Sequence, residues 1–143
     1  MPDERFPPDD PREWLRRARS NLVRARQRQP DVYFEDLCFD AQQAAEKAVK
    51  ALLLHMDVRF PYTHDLADLL TLVQQNEQPV PDSVKEAAAL SEYAVETRYP
   101  GLAEPVTEEE HAEAVKWAER VVQWAKQRVK DSDNAQEHVD DEE

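Results

Sequence analysis

The chain has 143 residues, 41% of them hydrophobic, which suits one domain with a single core of four or five helices; no apolar run reaches the roughly 18–20 residues of a membrane span. The one cysteine, Cys38, excludes an internal disulfide and a cysteine-built zinc site, and the one glycine, Gly101, excludes glycine-rich phosphate loops and hairpins built on Asn-Gly or Asp-Gly. The net charge of −13 is unevenly spread: residues 131–143 hold seven acids and no Lys or Arg, whereas residues 12–28 carry seven arginines against Glu13 alone.

Residues 1–9 are proline-rich and charged, open acidic, and have no apolar stretch, so a flexible N-terminus without a secretory signal is expected, and with it a cytoplasmic location. A helical domain over residues 10–130 follows. Asp10 can cap a helix, Pro11 suits its first turn, and Glu13 completes a capping box. Trp14, Ala18, Leu22 and Ala25 then lie at i, i+4, i+8 and i+11 on one face, most arginines lie on the other, and Pro30 follows the end. Asp31 is the expected cap of a second helix over residues 32–55, with Phe34, Leu37, Cys38, Ala41, Ala45, Ala48, Val49, Leu52 and Leu53 at spacings of three and four. Its alanines allow close approach, and its apolar C-terminal half suits a central helix.

Pro61 interrupts the pattern, and Thr63-His64-Asp65-Leu66 opens a short third helix with Leu66, Leu69, Leu70 and Val73 inward. Residues 76–81 form a loop. Ser83 to Glu86 reads as a capping box for a fourth helix through Ala87, Leu90, Tyr93 and Ala94, which Arg98-Tyr99-Pro100-Gly101 ends because a residue before proline resists the α region. Thr107 to Glu110 is another capping box. It starts a last helix with Ala114, Trp117, Val121 and Trp124 on one seam and Ala118, Val122, Ala125 and Val129 beside it. Residues 131–143 have the composition of a disordered acidic tail. No strand pattern and no internal repeat is present, so the fold class is all-α, an up-and-down bundle of four to five helices.

Phe39 through Leu53 (FDAQQAAEKAVKALL), then Thr63-His64-Asp65-Leu66, then Tyr93 through Arg98-Tyr99-Pro100 and a capped final helix, resemble in this order the HEPN domain family over roughly residues 10–130. The resemblance implies a helical bundle, commonly homodimeric, associated with nucleotides or RNA. It also implies a minimal nucleotidyltransferase partner in a toxin–antitoxin arrangement, as for many prokaryotic members. Catalytic members are metal-independent ribonucleases with an Arg followed a few residues later by His. This chain departs from that motif. Arg98 is followed by Tyr99, Pro100 and Gly101, with His111 too distant, and between Arg59 and His64 stand Pro61 and Thr63 where the family has helix.

Each candidate side chain carries two readings. His64 has the residue type suited to proton transfer, or it satisfies backbone groups at a helix start. Arg98 offers bidentate recognition of phosphate, or it pairs with Glu92, Glu96 or a carboxylate across the bundle. Tyr93 and Tyr99 are candidate nucleotidyl acceptors or buried hydroxyls, whereas Trp14, Trp117, Trp124 and Cys38 read as packing. The arginines of the first helix track a phosphate backbone, form a solvated face, or dock the acidic tail. The leading reading is a binding module rather than an enzyme. In it His64, Arg98 and Tyr99 line the groove, Lys47 and Lys50 stand one turn apart on the polar side of the second helix, and no cofactor or metal is needed. The competing reading is a metal-independent ribonuclease toxin with a rearranged site, in which His64 moves the proton and Arg98 stabilises charge.

Overall fold

The computed structural model describes residues 5–94 and 105–141, with side chains as far as Asp131. Five helices follow in order: α1 (Pro11–Arg26), α2 (Phe34–His55), α3 (Leu66–Gln75), α4 (Asp82–Lys85), which continues as a 3-10 segment (Glu86–Ala94), and α5 (Glu108–Asp141). No strand occurs among the described residues. The all-α class is as the sequence indicates.

α2 is the axis of the bundle. It packs most extensively on α1 and α5 and more lightly on α3 and the 3-10 segment. Ala18 and Ala25 of α1, Ala41, Ala44, Ala45 and Ala48 of α2, and Ala114, Ala118 and Ala125 of α5 are fully buried, so three backbones approach closely. The larger core side chains, Leu52, Leu53, Leu66, Leu69 and Leu90, are sealed off and each stabilises the fold by about 1.5–3 kcal/mol. Glu35, at the start of α2, accepts from the Val106 N–H just before α5, at 2.8 Å. His111, near the start of α5, meets the Ala25 carbonyl at the end of α1. α1 therefore runs antiparallel to α5.

Local signals hold in some places and are diverted in others. Thr107 and Glu110 form the full reciprocal box, each side chain accepting the other's backbone N–H at 3.1 Å. Asp65 caps α3 by accepting from the Ala67 N–H. Asp10 caps α1 through the Arg12 N–H, but the box with Glu13 does not close, because the Asp10 N–H already donates to the Pro7 carbonyl. Glu13 accepts from the Phe6 N–H instead, and the Trp14 indole donates to the Pro8 carbonyl, so residues 6–10 are fastened to α1 rather than trailing from it.

Asp31 does not cap α2, which begins at Phe34 after Tyr33 without a side-chain cap. Ser83 likewise does not open the fourth helix, which starts at Asp82 after Pro81. That helix narrows to 3-10 geometry because its buried residues Val84, Ala87, Leu90 and Tyr93 recur every three positions, a spacing that 3-10 winding aligns in one row. With so little glycine, helix ends rely on other residues in the left-handed region. Asp57 (φ 59°) follows α2 and Glu77 (φ 67°) follows α3. α5 continues through Asp141, beyond the boundary near Lys130 that composition suggests, since extending a nucleated helix costs little. The expected termination at Arg98 to Gly101 lies outside the described residues.

Candidate functional site

α2 carries polar side chains along one flank of an otherwise apolar helix, and they fall into two clusters. Gln42, Glu46 and Lys50 stand at i, i+4 and i+8, so they share one face. Glu46 is buried to 3% exposure and fully partnered: Gln42 Nε2 donates to Oε1 at 2.9 Å and Lys50 Nζ to Oε2 at 2.9 Å, and His64 Nδ1 lies 2.9 Å from Oε1. Burial pushes this carboxyl up, but the hydrogen bonds from Lys50, Gln42 and His64 outweigh it and hold Glu46 below the usual carboxylate range. Gln42 also donates to the His64 carbonyl at 3.3 Å, so α2 fixes both backbone and ring of the residue that precedes the α3 cap.

The His64 side chain keeps 43% of its surface in solvent. With Nδ1 engaged by the carboxylate, Nε2 is the nitrogen left for a ligand. In the neutral imidazole it is an exposed base, and in the protonated ring it is a donor to an anion. Tyr62, 92% exposed, stands edge-on to the imidazole with ring centroids 5.3 Å apart, and Phe60 lies 5.6 Å from the Lys50 ammonium. The cluster therefore presents one oriented imidazole and one open aromatic face above a neutralised buried pair.

The second cluster lies where α2 crosses α1. Asn21 donates to Asp40 at 3.1 Å and accepts from Lys47 Nζ at 2.8 Å, and Arg24 reaches the other Asp40 oxygen at 3.5 Å. Burial and then the neighbouring Arg17 push the Lys47 ammonium below its usual range. Lys47 and Lys50 thus serve different clusters instead of one ligand face, and Lys50, 6% exposed, is committed to Glu46.

Arg98 and Tyr99 lie outside the described residues. Arg59 is exposed beside a small concavity of about 310 Å³ that Val58 and Phe60 also line. Tyr93 is buried at 3% exposure, and burial and then the adjacent Cys38 raise its phenol, so it offers no hydroxyl to an incoming group. Cys38 is fully buried, as a packing residue should be. Trp117 and Trp124 pack half-buried against the core. No group of His, Cys, Asp and Glu able to hold a metal ion occurs among the described residues, and no helix there is long and apolar enough to cross a membrane. Glu46, the residue on which the site turns, is the one sequence reasoning passes over. Its signal is the i, i+4, i+8 row of Gln42, Glu46 and Lys50 interrupting a helix of alanine, valine and leucine.

Residues 11–129 match the HEPN domain family. Among solved structures, TT1696 from Thermus thermophilus is 34% identical, with 82% of this chain and 96% of that one covered and a TM-score of 0.70. The archaeal HEPN homologue ST0689 is 28% identical over 84% of this chain and 98% of its own, with a TM-score of 0.69. No curated protein matches the chain.

Proposed function

The chain belongs to the HEPN domain family, a family generally associated with nucleotides and RNA, and on that premise we propose that it is a binding module whose ligand-facing group is His64. In this reading the protein is a cytoplasmic homodimer that holds a nucleotide or an RNA phosphate and works beside a minimal nucleotidyltransferase in a toxin–antitoxin pair. One observation carries it. A buried, fully partnered carboxylate aims a half-exposed imidazole at solvent next to the open face of Tyr62. A protonated His64 donates to a phosphate through Nε2, and Tyr62 offers a stacking surface for a base. Arg98, carried from the family resemblance, supplies a second, bidentate contact to the phosphate. Lys50 is structural in this scheme, since its ammonium neutralises Glu46.

Calorimetric titration with ATP tests it. Binding by the wild type that His64→Ala and Arg98→Ala both weaken, with cooperative melting retained, supports the reading. Binding that neither variant changes overturns it.

The ribonuclease reading gains from the same geometry. A carboxylate that holds Nδ1 leaves Nε2 placed to accept a proton from a ribose 2′-hydroxyl, the arrangement that general-base histidines use. Incubation with labelled RNA in chelator separates the two. Cleavage abolished by His64→Ala and by Arg98→Ala makes the protein a metal-independent ribonuclease, and intact RNA leaves the binding module.

A further inference from the structure

A concavity larger than the one beside Arg59 lies on the outer side of α1 and α5, a groove of about 1060 Å³ running past residues 15–26 of one helix and 119–126 of the other, and His64 does not line it. Its floor is apolar, formed by Leu15, Leu22, Val23 and Val122, and Val23 is 38% exposed with nothing over it among the described residues. Its walls are basic, with six arginines and lysines against Glu119 alone. Three of these cations pair within the chain: Arg24 with Asp40, Arg26 with Glu119 and Arg120 with Glu86. Arg19 and Lys126, both exposed, make no ion pair among the described residues. A groove with an apolar floor and surplus positive charge calls for an occupant that is acidic.

The chain carries such a segment. Residues 131–143 hold seven acids and no Lys or Arg. The segment does not fill the groove of its own chain, because α5 passes the groove and runs on as helix through Asp141. At about 1.5 Å per residue, residues 131–141 lie about 8–23 Å beyond Lys126 along that helix. Two copies meeting groove to groove would oppose one basic wall with another, which like-charge repulsion disfavours.

We propose that the α1–α5 groove receives the acidic C-terminal segment, residues 131–143, of a second copy of this chain, two copies exchanging tails about a twofold axis. Such an exchange is isologous, so it closes at two copies and does not propagate. It rests on the homodimer in the reading above and is independent of the ligand at His64.

Sedimentation equilibrium tests the proposal on three proteins: the full chain, the chain ending at Lys130, and the full chain with Arg19→Glu and Lys126→Glu. Every residue of the buried cluster lies at or before Val129, so the truncation leaves the core whole, and both substituted side chains are exposed. The full chain is expected to dimerise at low ionic strength and more weakly at high. The truncation and the charge reversal are each expected to weaken the dimer about tenfold or more. A mixture of the two variants is expected to associate better than either alone, because one retains the groove and the other the tail. If the charge-reversed chain fails to melt cooperatively, the truncation alone decides. A dimer of unchanged affinity in the variants overturns the tail exchange and leaves a homodimer held by another face. A full chain that stays monomeric overturns the exchange and the homodimer together.

Discussion

Glu46 and His64 meet at 2.9 Å from positions eighteen residues apart, one at 4% side-chain exposure and the other at 43%. The contact joins the middle of α2 to the segment that opens α3, and the Gln42 hydrogen bond to the His64 carbonyl doubles the link. The carboxylate stays ionised in the interior because Lys50 and Gln42 supply the donors that water otherwise would. A buried pair of this kind costs desolvation and returns position. Here what it positions is an imidazole.

Glu46 and Lys50 should therefore be strongly coupled. Glu46→Leu leaves a buried ammonium without its carboxylate and Lys50→Met leaves the reverse, and each is expected to destabilise the fold by about 3–5 kcal/mol. Glu46→Leu with Lys50→Met removes both charges at similar volume. That double variant is expected to lose at least about 2 kcal/mol less than the sum of the two single losses. Urea denaturation of the set measures the coupling, and strictly additive losses would show that the pair does not act as a unit.

Stability should also fall in acid, in part through Glu46. The Glu46 carboxyl titrates lower in the folded chain than its ordinary value of 4.5, so its contribution is fully present above that value and is lost as pH falls through the lower folded one. Comparing urea midpoints at about pH 7 and about pH 4 is expected to show a smaller acid loss in Glu46→Gln than in the wild type. An equal loss in both would assign the acid sensitivity to other carboxylates.

The parts of this structure that follow from the sequence are those settled within a few neighbours. The Thr107–Glu110 box closes because both partners and both N–H groups lie within four positions. The apolar rows of α2 and α5 point inward because 3.6-residue periodicity is intrinsic to a helix. The Asp10–Glu13 box, built from equally suitable residues, is diverted because Pro7 and Phe6, outside the motif, satisfy the groups that it needs. His64 is legible from its residue type, whereas Glu46 stands out only once the fold lays residue 64 across it. Lys47 and Lys50 look equivalent one turn apart. The crossing of α1 separates them, drawing Lys47 to Asn21 while Lys50 turns to Glu46.

His111 is expected to matter for folding and not for binding. Its Nε2 lies 2.7 Å from the Ala25 carbonyl, one of the last-turn carbonyls that α1 leaves without a helical partner, and its ring stacks on Phe34 at 5.2 Å. His111→Ala loses both contacts and should cost about 2–3 kcal/mol. His111→Phe keeps the stack and loses the hydrogen bond, so its melting temperature should fall between those of the wild type and the alanine variant.

Cys38 should behave as an unreactive thiol in the folded protein. Burial, and then the carboxylates of Glu110 and Glu35, push it up to about 12, so almost none is thiolate near neutrality. Labelling by a thiol-specific disulfide reagent is expected to be negligible in native buffer and complete in denaturant. The native rate then reports how often the α2 environment opens. Rapid labelling without denaturant would contradict the burial.

Tyr62 offers the means to separate binding from folding. Any change at His64 also strips a partner from buried Glu46, so a weakened ligand in His64→Ala mixes lost contact with a disturbed core. The Tyr62 ring is 92% exposed and meets the imidazole in a T-shaped contact. Tyr62→Ala is therefore expected to shift unfolding free energy by no more than about 0.5 kcal/mol. If the base of a nucleotide stacks there, the same variant should weaken ATP binding by about 1–3 kcal/mol, the range for a lost aromatic platform. Unaltered stability with unaltered affinity would remove Tyr62 from the ligand surface while leaving His64 in place. Unaltered stability with weakened affinity would locate the base beside an imidazole that Glu46 already holds.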